Sequence, residues 1–260
     1  MSFSHITFEA DGDGITVVAV NRPEKRNALN RAIMEELAEA FDRASREKAT
    51  RGLIVTGTGK AFVAGADIAE LAALGPAEAR AYARRGQQVL RELETLGKPS
   101  VAAINGYALG GGLELAMACT VRFAAADAKL GLPEVKLGLV PGYGGTQRLP
   151  RLVGRGRAME MLLSGEPVDA AEAHRIGLVN AVAPESELMR LSRDWLLKAL
   201  ANAPVALALA MEAVDVGLDS GLEDGMRFEA AAFGLAAATE DGREGTRAFL
   251  EKRPPAFAGK

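Results

Sequence analysis

An α/β core followed by an all-helical tail is the fold class that this sequence predicts. Three observations carry it: candidate strands alternate with helices as far as Val182, every periodic segment beyond that point repeats at helical spacing, and 48% hydrophobic with 25% charged residues is the composition of a chain that buries a core. With 260 residues the chain is long enough for one large domain, or a domain with an annex.

The elements follow in order. Ile6 to Ala10 and Ile15 to Val20 are apolar, β-branched runs flanking Asp11-Gly12-Asp13-Gly14, which predicts a hairpin. From Asn30, a helix cap by residue type, Ile33, Leu37, Ala40, Phe41 and Ala44 recur at helical spacing. Leu53 to Thr56 reads as a buried strand, Pro76 to Leu96 as a helix, and Ser100 to Ile104 as a strand that leads into a helix through Gly110-Gly111-Gly112. In the tail, Leu188, Leu191, Trp195 and Leu196 share one helical face, and 205–216, 221–237 and 239–251 read as further helices. A tail that is apolar on more than one face has to fold over the core or pack against another subunit. No internal repeat is visible in the sequence.

Charge and composition exclude several function classes. A net charge of −3 and a pI of about 5.6 give no overall basic field for a phosphate backbone. One cysteine, Cys119, rules out an internal disulfide, and no charged-then-apolar leader is seen, so the cytoplasm is the expected location. Apolar runs such as Ala230 to Ala238 are far shorter than the roughly 18 residues of a membrane span, so no membrane segment is expected. With only His5 and His174 available, and no H-E-x-x-H or G-x-S-x-G pattern, neither a zinc site nor a serine hydrolase is expected, and His174 reads as structural. Gly57-Thr58-Gly59-Lys60 fails as a phosphate loop because Ala61 replaces the needed Ser or Thr, and no G-x-G-x-x-G is completed.

Two stretches remain. In Asn105 to Glu114, three glycines join an apolar strand to an apolar helix. They answer either to tight packing or to a backbone whose free N–H groups face an anion or a developing oxyanion, with Glu114 in the helix's first turn. In Gly131 to Arg148, Glu134 stands among apolar neighbours. Desolvation and a nearby Glu114 would raise its pKa and suit it to acid–base work; the alternative is a surface ion pair with Lys136 or Arg148.

Taken together these segments resemble the crotonase, or enoyl-CoA hydratase/isomerase, superfamily. Asn21-Arg22-Pro23-Glu24-Lys25-Arg26-Asn27-Ala28-Leu29 is similar to its opening N-R-P-x-x-x-N-A-L, and Ala61-Phe62-Val63-Ala64-Gly65-Ala66-Asp67-Ile68 to its A-F-x-A-G-A-D-I. The glycine junction and the run from Pro133-Glu134 to Gly144-Gly145-Thr146-Gln147-Arg148 complete a resemblance that keeps its order from about Ile6 to Val182. It implies a crotonase-like α/β fold, a spiral of repeated β-β-α units with a C-terminal helical trimerisation region. Residues 1–195 would hold the CoA and active sites, and residues 196–260 would build a homotrimer or homohexamer.

The resemblance also implies a chemistry. The oxyanion hole would be the backbone N–H groups of Ala66 and Gly111, each such donor being worth roughly 2.7–4 kcal/mol to an enolate. CoA contacts map onto Lys25, Arg26, Ala28 and Leu29 near the pantetheine and phosphates, and onto Ala64, Ala66, Asp67 and Ile68 around adenine. Lys25 and Arg26 also fit plain surface charge, and Asp67 a helix cap. Fold alone does not choose among the reactions of this superfamily, but its hydratase branch carries two glutamates, here Glu114 to deprotonate water and Glu134 to protonate Cα, with Gly142 positioning the water. The expected substrate is a trans-2-enoyl-CoA thioester, with no metal and no cofactor beyond its CoA. Thr120 departs from the Asp of many relatives and reads as structural; Tyr143 fills a site that is often small and would reshape an acyl pocket lined also by Leu71, Leu74 and Tyr82. The rival within the superfamily is double-bond isomerisation through Glu134. RNA binding is a rival of another class, but Arg80, Arg84, Arg85 and Arg91 share their helix with Glu78, Glu92 and Glu94, an ordinary solvated face.

Overall fold

The Asp/Gly turn closes the expected hairpin. In the computed structural model, which describes residues 3–260, β1 (Ile6–Ala10) pairs antiparallel with β2 (Ile15–Val20). The Asn30 side chain accepts from Ile33 N at 2.9 Å and starts α1 (Arg31–Arg46), whose apolar face, including Leu37 and Phe41, is buried. There follow β3 (Gly52–Gly57), β4 (Ala61–Val63), the short α2 (Ile68–Leu71) and α3 (Pro76–Glu94). In α3 proline occupies the first turn, where its missing N–H costs nothing, and the Glu78 carboxylate accepts from Gly75 N at 2.9 Å. The same order recurs in β5 (Ser100–Ile104), β6 (Tyr107–Leu109) and α4 (Gly111–Met117), and in β7 (Val121–Ala125), β8 (Lys129–Gly131) and α5 (Gly145–Ser164). Strand β9 (Val168–Asp169), α6 (Ala170–Arg175) and β10 (Ala181–Ala183) end the core.

Each repeat divides its strands between two sheets. The larger has the order β1-β2-β3-β5-β7-β10, parallel beyond the hairpin; the smaller is β4-β6-β8-β9, parallel except at β9. This is the repeated β-β-α arrangement of the expected spiral. Strands β3 and β5 are buried along their whole length, as a parallel sheet covered on both faces requires. Thr120 is structural as expected: its Oγ1 accepts from Ser100 N at 3.0 Å, and its N–H donates to Ser100 Oγ at 3.0 Å. His174 lies beside the Val179 carbonyl, with Nδ1 at 3.2 Å, as part of the α6 exit.

The tail is helical: α7 (Glu185–Leu200), α8 (Pro204–Asp219), α9 (Leu222–Ala238) and α10 (Glu240–Leu250). Helix α7, which a division at 195/196 cuts, lays Leu188, Leu196 and Leu200 against the larger sheet. By contrast α8 buries no residue, α9 buries only Ala232, and Leu222, Phe233 and Leu235 stand in the open. Among the described residues no single helix is long and apolar enough to cross a membrane.

Candidate active site

The carboxyl ends of three adjacent parallel strands build the site. After β4 the chain runs through Ala64, Gly65 and Ala66; after β6 through Gly110 and Gly111 into α4; after β8 through Leu132 and Pro133 to Glu134 on a 3₁₀ turn, Pro133–Leu137. Leu29 pins the first segment, donating its N–H to Gly65 O at 2.8 Å and accepting from Asp67 N at 2.7 Å, so that Ala66 is held between two anchored residues. Gly110 N–H donates to Gly131 O at 2.9 Å and extends the ladder one step beyond the strands. Among the described residues, no protein acceptor takes the N–H of Ala66 or of Gly111, the latter being the first residue of α4 and so without an intrahelical partner.

The packing reading of the glycine junction finds support here. Gly110 has φ 50°, where side chains are strained, and a Cβ on it would lie 2.7 Å from Glu134 Oε1. Gly112 is a packing glycine, since its Cβ would fall 2.0 Å from Val63 O.

Glu114 is 2% exposed. Its Oε1 accepts from Tyr143 N at 2.8 Å and Gly145 N at 2.7 Å, which leaves Oε2 without a protein donor. Burial pushes its pKa up to about 7; the hydrogen bond from Gly145 opposes this, and the charge of Glu134 reinforces it. Glu134 is also raised by burial, and its Oε2 is buried with no hydrogen-bond partner. Neither surface ion pair open to Glu134 in the sequence forms, because Lys136 pairs with Glu166 at 2.6 Å and Arg148 with Glu94 at 2.9 Å. Two carboxylates whose pKa values burial raises, beside two free backbone donors, can move protons on both sides of a carbonyl compound that is becoming an enolate.

These groups line one cleft of about 430 Å³. Of the residues singled out in the sequence, it gathers Ala64, Ala66, Ile68, Leu71, Tyr82, Gly111, Glu114, Glu134, Gly142 and Tyr143. Leu74 does not line the cleft; it packs against the hydrophobic core instead. Lys25, Arg26, Ala28, Leu29 and Asp67 also lie outside its walls: Leu29 is buried, and Arg26 places its guanidinium 6.0 Å from the Tyr107 ring centre. Asp67 caps α2 by accepting from Ala69 N, and its hydrogen bond from Arg22 at 2.8 Å holds its carboxyl below the usual range.

Tyr82 and Tyr143 close one wall with ring centres 5.7 Å apart. Gly86 makes room for them, as a Cβ there would sit 2.1 Å from the Tyr143 ring. Sequence reasoning passed over Gly86, although a glycine in a helix interior, costing about 1 kcal/mol against alanine, is itself a signal of close approach.

Comparison with known proteins points one way. A family model described as enoyl-CoA hydratase/isomerase matches residues 10–260. Over the full length of both chains the protein is 45% identical to a crotonyl-CoA hydratase of Syntrophomonas wolfei. It is 42% identical to a short-chain-enoyl-CoA hydratase of Clostridium acetobutylicum, covering 97% of each chain. Among solved structures it is similar to an enoyl-CoA hydratase from Bacillus anthracis, with a TM-score of 0.94 at 40% identity over 99% of this chain and 100% of that one.

Proposed function

This chain belongs to the enoyl-CoA hydratase/isomerase family, and from that premise we propose that it adds water reversibly to short trans-2-enoyl-CoA thioesters to give 3-hydroxyacyl-CoA. The observation that carries this reading is the pair of carboxylates, Glu114 buried and Glu134 half-buried, in one apolar cleft with two free backbone N–H groups. An isomerase needs only one proton carrier; a hydratase needs a base for water and an acid for carbon.

In the proposed sequence the thioester oxygen accepts from Ala66 N and Gly111 N. Glu114, ionised and anchored through Oε1, takes a proton from water with Oε2 while the water oxygen bonds to Cβ. The electron pair of the double bond moves onto the carbonyl oxygen as an enolate, where each aimed donor is worth roughly 2.7–4 kcal/mol. The enolate then collapses and Cα takes the proton of Glu134. Water has been added, Glu114 is protonated and Glu134 is ionised; return of the proton from one to the other resets the site. Gly142 helps position the water. The addition is redox-neutral and its protons move through Glu114 and Glu134, so the reading calls on no metal and no cofactor beyond the CoA of the substrate.

The CoA moiety is assigned to Lys25, Arg26, Ala28 and Leu29 along its pantetheine and phosphates and to Ala64, Asp67 and Ile68 around adenine. The Asp67 carboxylate is already engaged by Arg22, so its part falls to the backbone. The names of the relatives and the Tyr82–Tyr143 wall favour short acyl groups. The apolar surface of α8 and α9 supports a homotrimer or homohexamer built by residues 196–260, and the expected location is the cytoplasm.

A panel of trans-2-enoyl-CoA thioesters of increasing length, followed by loss of the conjugated chromophore, tests the proposal. Turnover should be fastest with four carbons. Migration of the double bond in 3-enoyl-CoA without hydration of any 2-enoyl-CoA would overturn it.

A further inference from the structure

Glu114 can serve as the base only if its free oxygen is aimed. Its Oε1 is held by the N–H groups of Tyr143 and Gly145, which belong to the peptides on either side of the one joining Tyr143 to Gly144. That middle peptide is gripped from outside: Arg148 Nη1 donates to Tyr143 O at 2.9 Å. The guanidinium is in turn locked in a two-pronged pair with Glu94, the last residue of α3, through Nε to Oε1 at 2.9 Å and Nη2 to Oε2 at 3.0 Å. Arg91, one turn earlier, adds a donor to Glu94 Oε2 at 2.9 Å. The fit is close, since Gly144 has φ 108° and a Cβ there would lie 2.5 Å from Arg148 Nη1. A second tether from the same helix holds the preceding residue, with Gln87 Nε2 donating to Gly142 O at 2.8 Å.

We propose that Arg148, locked by Glu94, is a positioning residue for the hydration reaction: it fixes the Tyr143–Gly144 peptide so that the flanking amides converge on Glu114 and hold its free oxygen toward the water. A bidentate guanidinium suits this work because its planar fork fixes direction as well as distance, which an ammonium does not. The pair is largely shielded, with 15% of the Arg148 side chain and 22% of the Glu94 side chain exposed, so it is screened less than the other surface pairs of α3. The charge also reaches the base, where it acts to lower the Glu114 pKa against the raising effect of Glu134. Around Arg148 itself stand Glu94 and Arg91 of α3 and Asp215 of α8, with Asp219 beyond, facing Arg91 and Arg151.

The inference rests on Glu114 being the base, and the test separates the two. Steady-state hydration of crotonyl-CoA across pH is measured for Arg148→Gln, Arg148→Lys, Glu94→Gln and Glu114→Gln. Arg148→Gln should lose about 10- to 100-fold in kcat, the scale of a misplacement near 1 Å, with KM changed little. Its kcat/KM should begin to rise only at higher pH than in the wild type. Arg148→Lys should return that rise toward the wild-type pH, because the charge is restored, while kcat stays low, because the fork is lost. Glu94→Gln should lower kcat with less effect on the pH profile. A merely structural arginine would not split these readouts. Wild-type kcat and pH profile in both Arg148→Lys and Glu94→Gln would overturn the clamp, even if Arg148→Gln fails to fold. Full activity in Glu114→Gln would instead remove the base assignment on which the clamp stands.

Discussion

Replacing Glu114 with glutamine should make the protein a poor catalyst and, above neutral pH, a more stable one. The folded carboxyl has a pKa of about 7 against an ordinary value of 4.5. Between those values the unfolded chain has lost the proton while the folded chain keeps it, so the folded state binds more protons and stability falls as pH rises through this window. The interval corresponds to about 3 kcal/mol, fully present as a cost above pH 7 and absent below 4.5. Glutamine keeps a carbonyl oxygen for the Tyr143 and Gly145 amides but has no proton to lose. The stability of the variant relative to the wild type should therefore improve by about 3 kcal/mol from pH 4.5 to pH 8.5, or roughly 6 to 12 °C in Tm for a chain of this size. The assay is a pair of thermal melts at each pH, run at one subunit concentration because assembly couples to stability. Crotonyl-CoA hydration should fall by roughly 10²–10⁴ in the same variant. A gap in Tm that is equal at both pH values would refute the reasoning, since it would mean that Glu114 carries no buried ionisation cost.

Three further outcomes follow from the geometry. Glu134→Gln should abolish exchange of the α-proton of a saturated acyl-CoA into heavy water, observed by NMR, whereas Glu114→Gln should retain slow exchange; wild-type hydration by Glu134→Gln would end the assigned role. Gly86→Ala should destabilise the fold by about 1–3 kcal/mol in urea, reversing the gain of roughly 1 kcal/mol expected of alanine in an open helix, and a stabilised variant would show that the Tyr143 ring does not need the gap. Phe233→Glu, on the open face of α9, should shift the assembly toward smaller species in light scattering, and a wild-type protein that is a fully active monomer at micromolar concentration would contradict the proposed oligomer.

Much of this architecture was legible in the sequence, for identifiable reasons. The hairpin carries its turn residues between β-branched runs, α1 its cap and full apolar stripe, and α3 its opening proline, and all three form as read. The repeat was legible only through the family resemblance, not from the pattern of residues. Strands β4, β6 and β8 have three residues each, with sequences Ala-Phe-Val, Tyr-Ala-Leu and Lys-Leu-Gly, too short to show alternation and with no residue shared at the same position. At the site, the structure places Glu114 and Glu134 in one cleft, a pairing that glycine spacing and an isolated carboxylate left open and that only the family resemblance implied. The ion partners of Arg148 did not follow from proximity in sequence: Glu94 lies 54 residues away, and only the packing of α3 against the loop brings it near. Leu74 follows Leu71 by one helical step, but α2 ends at Leu71, so the periodicity that would have aimed both into the cleft stops between them.

The three short strands have a consequence for how activity returns after unfolding. Ala66, Gly111 and Glu134 hang from strands that must align in one ladder before any two of them face each other, and the segments joining those strands contain whole helices. Local helices form early and cheaply, whereas pairing of distant strands waits on loop closure. Turnover therefore reports alignment rather than collapse: in a stopped-flow refolding run the far-ultraviolet signal of the helices should lead, and the first hydrated substrate should come no earlier than the moment when the small sheet is in register.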